Sequence, residues 1–276
     1  MFKAGVKVNA PSALRVAAMA MALVGQPANA EVGTAASHPV LELRQYKIVH
    51  GRRDELIALF DREFVESQEA CGMRLIGQFR DLDDPDRFTW LREFPDMARR
   101  EQALGAFYGG PVWQAHRGEA NPLLEDNDNV LLLRPAWDGS GFADVAKRRP
   151  NPGETAAGAD VVVATIHYLW KKPDEGFGEA FRREFAPAFN RAGLPVLAAY
   201  VVEEAPNNFP RLPVRQGEKL FVWFTRVRGA ADYASARRRL NQDAIWRSQL
   251  AARLDDYEER RAQVLRLAPT DRSRLR

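Results

Sequence analysis

DELIALFDREFVESQEACG, residues 54–72, and DEGFGEAFRREFAPAFNRAG, residues 174–193, are two versions of one amphipathic helix. Large apolar side chains recur at every fourth residue in both segments, which places them along one face that packs on a sheet. Each segment ends in a glycine, the residue that best adopts the left-handed conformation of a helix C-cap. The shared tripeptide REF, residues 62–64 and 183–185, aligns the two segments and indicates an internal repeat.

The sequence on either side of these helices repeats as well. A predicted strand precedes each helix, and two strands, a second helical region and a closing strand follow it. In the first copy these are residues 40–48, 74–80, 88–94, 96–124 and 130–135, and in the second copy residues 161–169, 195–202, 221–227, 230–262 and 264–269. Trp90 and Trp113 have the same separation as Trp223 and Trp246, which supports the alignment.

Each copy therefore has the order β-α-β-β-α-β, which is the ferredoxin-like arrangement. Four antiparallel strands with helices on one face leave the other face bare, and that face has to be buried. The simplest partner is the other copy. We therefore predict an α+β fold in which two tandem ferredoxin-like repeats face each other and form an intramolecular α+β barrel, with a cavity between the sheets.

The N-terminal segment has the features of an export signal. Residues 1–30 carry basic residues, then a short apolar run, then a small-x-small site at Ala28 and Ala30. We expect cleavage after Ala30 and a periplasmic or secreted location, because no later segment is long and apolar enough to span a membrane. The predicted domains then follow in order: a flexible tail at 31–38, the first ferredoxin-like domain at 39–137, a linker at 138–159, the second domain at 160–269 and a C-terminal tail at 270–276.

The composition is that of a globular protein without a nucleic-acid partner. Apolar residues make up 46% of the chain, charged residues 28%, and the formal net charge is only +3. The arginines lie among acidic residues, as in RRDE and YEERR, which is typical of solvated helix faces. The sequence has no nucleotide-binding loop, zinc-ligand motif or nucleophile elbow, so we expect no metal and no cofactor.

Polar side chains on the first strand predict a ligand site. Glu42, Arg44 and Tyr46 share one face of this strand, and Leu41 and Leu43 share the other. Because helices normally cover the apolar face of a sheet, we expect the polar set to point into the barrel.

The second copy adds residues to this predicted site. Thr165 and His167 take the places of Arg44 and Tyr46, and Trp90 and Trp223 on the third strands are expected to close the cavity. Such a set suits a small anionic or aromatic ligand, with His167 or Glu42 as the group that moves a proton. The alternative is a Glu42–Arg44 ion pair and a hydrogen-bonded histidine that fill the seam between the copies.

AFYGGPVWQAHR, residues 106–117, admits two interpretations. It is either a loop at the barrel mouth, lined by Phe107, Tyr108 and His116, or a break between two helices. The break is favoured, because Pro111 suits the first turn of a helix and the glycines before it suit the end of another.

Four motifs of the first copy resemble the NIPSNAP family, a branch of the dimeric α+β barrel superfamily. They are LELRQY (41–46), WLREFPDMARRE (90–101), FYGGPVWQAHR (107–117) and VLLLRP (130–135). The second copy is similar more loosely, since it keeps REF, FVWF and IWRSQL but lacks the Gly-Gly-Pro. The resemblance implies ferredoxin-like domains that pair into a barrel.

Three functions remain open at this point. The first is an exported NIPSNAP-like protein that binds a small molecule between the sheets. The second, implied by the superfamily, is a cofactor-free or haem-dependent oxidoreductase or monooxygenase, in which haem would need His167 or His116 as an axial ligand. The third is a non-catalytic interaction module with a filled barrel, whose partners dock on its outer surface or on the long loop 203–219. Each of these three functions is compatible with the assembly of several barrels into a higher oligomer.

Overall fold

The computed structural model describes residues 38–143, 145, 148–154 and 160–276. The predicted signal peptide, nearly all of the predicted flexible tail and part of the predicted linker lie outside the described residues. The first half contains strands β1 (Val40–Ile48), β2 (Arg74–Asp81), β3 (Arg87–Phe94), β4 (Leu124–Asp126) and β5 (Val130–Pro135), with helices α1 (Arg53–Leu59), α2 (Val65–Ala70), α3 (Met97–Gly109) and α4 (Pro111–Ala120).

The second half repeats this order, except that none of its described residues forms a counterpart of the short strand β4. It contains strands β6 (Val161–Leu169), β7 (Ala198–Val202), β8 (Leu220–Val227) and β9 (Glu258–Pro269), with helices α5 (Phe177–Ala180), α6 (Ala186–Ala192), α7 (Ala230–Gln242) and α8 (Ala251–Tyr257). One π-helical turn, Phe60–Phe64, joins α1 to α2, and another, Phe181–Phe185, joins α5 to α6. Both π turns contain the shared REF, and such turns occur frequently at functional sites.

In the part of the chain that the structure describes, eight strands close into an antiparallel barrel. Their order is β3-β2-β9-β6-β8-β7-β5-β1, and β1 pairs with β3 to close the ring. The halves meet twice, because β9 of the second half pairs with β2, and β5 of the first half pairs with β7. The short strand β4 extends the pairing at one end of β1. This topology confirms the predicted α+β barrel of two ferredoxin-like repeats.

The barrel interior is filled by apolar side chains of both halves. Leu41 and Leu43 of β1 belong to one buried cluster with Ile166 of β6, and no helix contributes to this cluster. Phe142 of the predicted linker and Leu275 of the predicted C-terminal tail also enter it. The prediction of a cavity between the two sheets is therefore wrong, since the protein's own side chains occupy that space.

Helices cover the outer face of each half-barrel, as the aromatic spacing predicts. Phe177, Phe181, Phe185 and Phe189 are all buried against the sheet of the second half.

Among the described residues, no helix combines the length and the apolar character that crossing a bilayer requires.

The structure confirms the helix break at residues 109–111. Helix α3 ends at Gly109, and α4 begins at Pro111. A Cβ atom at Gly110 would lie 2.7 Å from the carbonyl oxygen of Ala106, so only glycine allows the chain to turn this closely. The break therefore lets α4 fold back over the sheet, where it carries Trp113.

The second helical region of the second half is shorter than predicted. Helix α8 ends at Tyr257, and residues 258–262, which the sequence predicts as helical, belong to β9. Their Glu and Arg residues favour helix locally. Pairing with β6, in which Leu169 lies opposite Glu258, overrides that preference because β9 is needed to close the barrel.

Candidate ligand site

The predicted site residues lie on the opposite face of the sheet from the one predicted. Glu42 accepts a hydrogen bond from Arg100 of α3, and Trp90 packs on Phe60 of the neighbouring π turn. The polar set thus faces the helices, outside the barrel. This orientation holds for Glu42, Arg44, Tyr46 and Trp90 in the first half and for Thr165, His167 and Trp223 in the second. Since both faces of these strands are buried, alternation alone could not say which face was inside.

Glu42 binds three arginines. Its carboxylate accepts from Arg44 Nη1 at 2.7 Å, from Arg92 Nε at 2.7 Å and from Arg100 Nε at 2.7 Å, and all four side chains are fully buried. The β1–β3 register places Arg92 directly opposite Glu42. Burial alone would raise the pKa of Glu42, but the charges of Arg92, Arg44 and Arg100 outweigh it and hold that pKa well below its usual range. Glu42 is therefore ionised.

This cluster, Glu42–Arg44–Arg92–Arg100, has more positive than negative charge. Among the described residues, no carboxylate other than Glu42 forms an ion pair with any of the three arginines. Their Nη2 atoms are buried and have no hydrogen-bond partner. Burial also lowers the pKa of Arg100 although Glu42 opposes this effect. Three guanidinium groups against one carboxylate leave two positive charges uncompensated.

A cavity of about 280 Å³ lies between the sheet and the helices of the first half. Tyr46, Gln68 and Trp90 line it next to the charged cluster, because Arg44 Nε donates to the Tyr46 hydroxyl at 2.8 Å and Arg92 Nη1 donates to Gln68 Oε1 at 2.9 Å. Six further aromatic side chains form part of the remaining wall: Phe60, Phe64, Phe107, Tyr108, Trp113 and Phe209.

Two residues that line this cavity, Tyr46 and Trp90, carry hydrogen-bond donors. Burial raises the pKa of Tyr46 to about 12 although Arg44 opposes this effect, so its phenol keeps its proton. Tyr46 oxygen accepts from Arg44, which leaves its own O–H to donate. The indole N–H of Trp90 is buried and has no acceptor among the described residues. An oxygen atom of a bound molecule beside Tyr46 would accept the hydrogen of its hydroxyl.

The loop between β7 and β8 covers this first-half cavity. Arg100 Nη1 donates to the side-chain oxygens of Asn207 at 3.0 Å and Asn208 at 2.7 Å. Phe209 then packs on Tyr108 with ring centroids 5.9 Å apart. The long loop 203–219, predicted as a docking segment for partners, is thus folded onto the other half of its own chain.

A second cavity of about 650 Å³ occupies the equivalent place in the second half. Thr165, His167 and Trp223 line it. Trp223 Nε1 donates to His167 Nε2 at 3.0 Å, so the imidazole proton lies on Nδ1, which is 2.6 Å from Glu258 Oε1. Both ring nitrogens of His167 are therefore engaged, as in the alternative of a hydrogen-bonded histidine.

The residues predicted at a barrel mouth separate into two places. Phe107 and Tyr108 line the first-half cavity, under the helices. His116 lies on α4, with its ring nitrogens 3.3 Å from Glu63 and 3.0 Å from Glu119. The mouth prediction is wrong, because α4 packs on the outside of the sheet. Neither His116 nor His167 offers a free nitrogen, so these two residues do not fit an axial haem ligand.

Sequence reasoning missed Arg92, Arg100 and Gln68. Arg92 has a sequence signal, since it alternates with Trp90 on the third strand and therefore shares the face of a residue that was predicted to line the site. Arg100 and Gln68 have no such signal, because they reach the cluster from helices whose rotation about their axes is a tertiary property. In the described part of the chain, no group of His, Cys, Asp and Glu side chains is arranged to hold a metal ion.

The first half of the chain matches a known protein family, and the fold of the whole barrel is similar to solved structures. Residues 41–137 match the NIPSNAP family. A monooxygenase-like protein from Fusobacterium nucleatum has 11% identity and a TM-score of 0.54 over 85% of this chain and 94% of its own. An anthrone oxidase-like protein has 11% identity and a TM-score of 0.53 over 86% of this chain and 92% of its own.

At 11% identity, the similarity to these two solved structures establishes the fold alone. A NIPSNAP family protein from Agrobacterium tumefaciens has 25% identity and a TM-score of 0.35 over 38% of this chain and 90% of its own. No protein of curated function matches the chain significantly. The first half of this α+β barrel, over residues 41–137, is therefore a NIPSNAP domain.

Proposed function

We propose that this protein binds a small planar aromatic molecule in the cavity between the sheet and the helices of its NIPSNAP domain. The observation that carries the proposal is an aromatic wall around Tyr46, whose oxygen accepts from Arg44, and Trp90, whose N–H has no acceptor among the described residues. The cavity volume of about 280 Å³ lies just below the usual range of ligand pockets, about 300–1,000 Å³, and suits a molecule of one or two rings. The proposal moves the ligand from the barrel interior to the outer face of the sheet.

Calorimetric titration with 2-naphthamide, a neutral two-ring probe with a carbonyl acceptor, tests this function. Ala120 is a buried residue of the first-half cavity, and Ala251 lines the second-half cavity. Ala120→Leu fills the first space and should weaken binding at least about 10-fold, about 1.4 kcal/mol. Ala251→Leu is the matched control and should bind as the wild type does. Absence of binding to the wild type, or an equal loss in both variants, would contradict the proposal.

A cofactor-free oxidoreductase is the second candidate. The observation that favours it is the Arg44–Tyr46 hydrogen bond, which keeps a neutral phenol donor beside any oxygen that a bound phenol places there. Oxygen uptake in the presence of 1-naphthol tests this activity, with Tyr46→Phe as the variant that should lower it. Haem is not part of this candidate, since its two expected ligands are engaged elsewhere, and a Soret absorption band in the purified protein would contradict that exclusion.

We also propose that the protein is exported. The support is the signal-like sequence of residues 1–30 with Ala28 and Ala30 at its end. The mature protein should begin at Glu31, which intact mass measurement of the periplasmic or secreted fraction checks. Ala30→Lys should leave the precursor uncleaved, and a mass that retains residues 1–30 in the wild type would sink the idea.

A further inference from the structure

We propose that the ligand of the first-half cavity is an anion, with a carboxylate or phenolate group, and that the buried Glu42–Arg44–Arg92–Arg100 cluster selects it. The inference rests on the proposed function, because it specifies the charge of the molecule that this same cavity binds. Three separate features of the described residues support it: the charge of the cluster, its position, and the charges at the cavity mouth.

The first support is the unbalanced charge. Buried ions are normally paired, since an isolated charge loses its hydration on burial. Here one carboxylate faces three fully buried guanidinium groups. Each arginine also has a buried Nη2 atom without an acceptor among the described residues. A negative charge nearby would reduce this imbalance, so the cluster favours an anion over a neutral molecule of the same shape.

The second support is position. Tyr46 and Gln68, which line the cavity, are themselves hydrogen-bonded to Arg44 and Arg92. The guanidinium carbons of these two arginines also lie 5.4 Å and 5.0 Å from the ring centroid of Trp90. Only one layer of side chains therefore separates the cavity from the cluster, and Coulomb interactions are weakly screened where water is excluded.

The third support is the cavity mouth. Arg117 and Arg211 line it and are exposed, and none of the described residues that line it is a carboxylate. The second-half cavity differs, because Asp255 and Glu258 line it together with arginines. The first-half cavity is thus cationic both at its mouth and behind its floor, which draws an anionic ligand inward.

The second half reaches the same strand order without such a cluster. Val163 and Thr225 occupy the paired positions that Glu42 and Arg92 occupy in the first half, and Thr165 replaces Arg44. Both halves fold into the same strand order with and without these charges. Since buried ion pairs are weak sources of stability, we assign the cluster to ligand selection.

A matched pair of probes tests the inference on the wild-type protein. 2-Naphthoate and 2-naphthamide have almost the same shape and differ in charge. The naphthoate should bind at least about 10-fold more tightly, about 1.4 kcal/mol, as measured by calorimetry. Equal affinities, or preference for the amide, would overturn the anion inference and leave the proposed function standing. If neither probe binds, the proposed function itself has failed.

Two variants locate the source of the selectivity. Arg100→Met removes one buried positive charge and should reduce the preference for naphthoate over naphthamide several-fold at both low and high salt. Arg117→Gln removes an exposed charge at the mouth and should have a smaller effect that disappears at high salt. A naphthoate preference that is unchanged in Arg100→Met but lost in Arg117→Gln would overturn the role of the cluster. If Arg100→Met does not fold, the wild-type probe pair still decides the charge of the ligand.

Discussion

The two halves of the barrel share one architecture but differ beneath their helices. The first half buries an ion cluster around Glu42, whereas the second half has Val163 at that position and opposes it to Thr225. The second half instead has a hydrogen-bonded chain from Trp223 through His167 to Glu258. The fold therefore tolerates either solution, and the chemistry of each cavity is set by a few positions on the first and third strands.

The cavities also differ in how they are covered. The β7–β8 loop carries Phe209 and Leu212 from the second half onto the first-half cavity. The corresponding β2–β3 connection in the first half is the short turn DLDDPD, and none of its residues lines the second-half cavity. The first-half cavity is consequently the smaller one, while the second-half cavity remains wider. An insertion in one repeat has thus changed the site of the other.

The largest expected effect comes from breaking the cluster. Glu42→Val gives the first half the residue of the second but leaves three buried arginines without their carboxylate. We expect the free energy of unfolding to fall by about 3–5 kcal/mol, the cost of removing one partner of a buried ion pair. Denaturant titration of the purified variant measures this loss.

The control is the complete exchange E42V/R44T/R92T/R100Y. It installs the second-half residues Val163, Thr165, Thr225 and Tyr233 at their equivalent positions, the last being the fourth residue of α7 as Arg100 is of α3. Because the charges leave together, this variant should be more stable than E42V alone. A quadruple variant less stable than E42V would show that the cluster itself stabilises the fold. That result would contradict the inference that either set of residues is compatible with this fold.

A smaller effect distinguishes Trp90 from Trp223, the tryptophans at equivalent positions of the two halves. Trp223→Phe removes the donor to His167 Nε2, whereas Trp90→Phe removes an N–H that has no acceptor among the described residues. An unsatisfied buried acceptor costs about 1–3 kcal/mol, so Trp223→Phe should lower the free energy of unfolding by about that much more than Trp90→Phe. The two variants lose the same ring volume and control for one another. Equal destabilisation would mean that the Trp223–His167 hydrogen bond contributes nothing.

The smallest effect concerns the π turns, where Asp61 of the first half corresponds to Arg182 of the second. Burial raises the pKa of Asp61 from 3.8 to about 6, although Arg272 and Arg149 oppose it. The folded state then binds this proton more tightly than the unfolded state, so the stability from this group is lost as pH rises from about 4 to about 6.

Asp61→Asn should abolish that loss. A shift of about two pKa units corresponds to about 3 kcal/mol. Because Asp61 is partly exposed and solvent screens its charge, we expect the variant to gain about 1–2 kcal/mol relative to the wild type above pH 6, and the gain should vanish near pH 4. Thermal unfolding of both proteins over this pH range measures the difference. A gain that does not depend on pH would show that the ionisation of Asp61 is not its cause.

The sequence predicted the larger part of the fold and a smaller part of the site. Eight barrel strands, the paired helices and the break at Gly110 follow from periodicity, repeated motifs and turn chemistry. Glu42, Arg44, Tyr46 and Trp90 were correctly grouped, because residues that alternate on paired strands remain neighbours on whichever face they lie. Their face was predicted wrongly, since Leu41 and Leu43 could equally have faced helices or the opposite sheet.

By itself, the sequence determined that the chain is a duplicated β-α-β-β-α-β unit whose copies close a barrel. That information is local, because spacing, caps and repeats act within a helix or between adjacent strands. Tertiary structure alone decided that the polar face lies under the helices, that Arg100 completes the cluster and that the 203–219 loop covers the other half. These outcomes depend on contacts such as Arg100 with Glu42 and with Asn208, whose partners are far apart in the chain and leave no periodic trace in it.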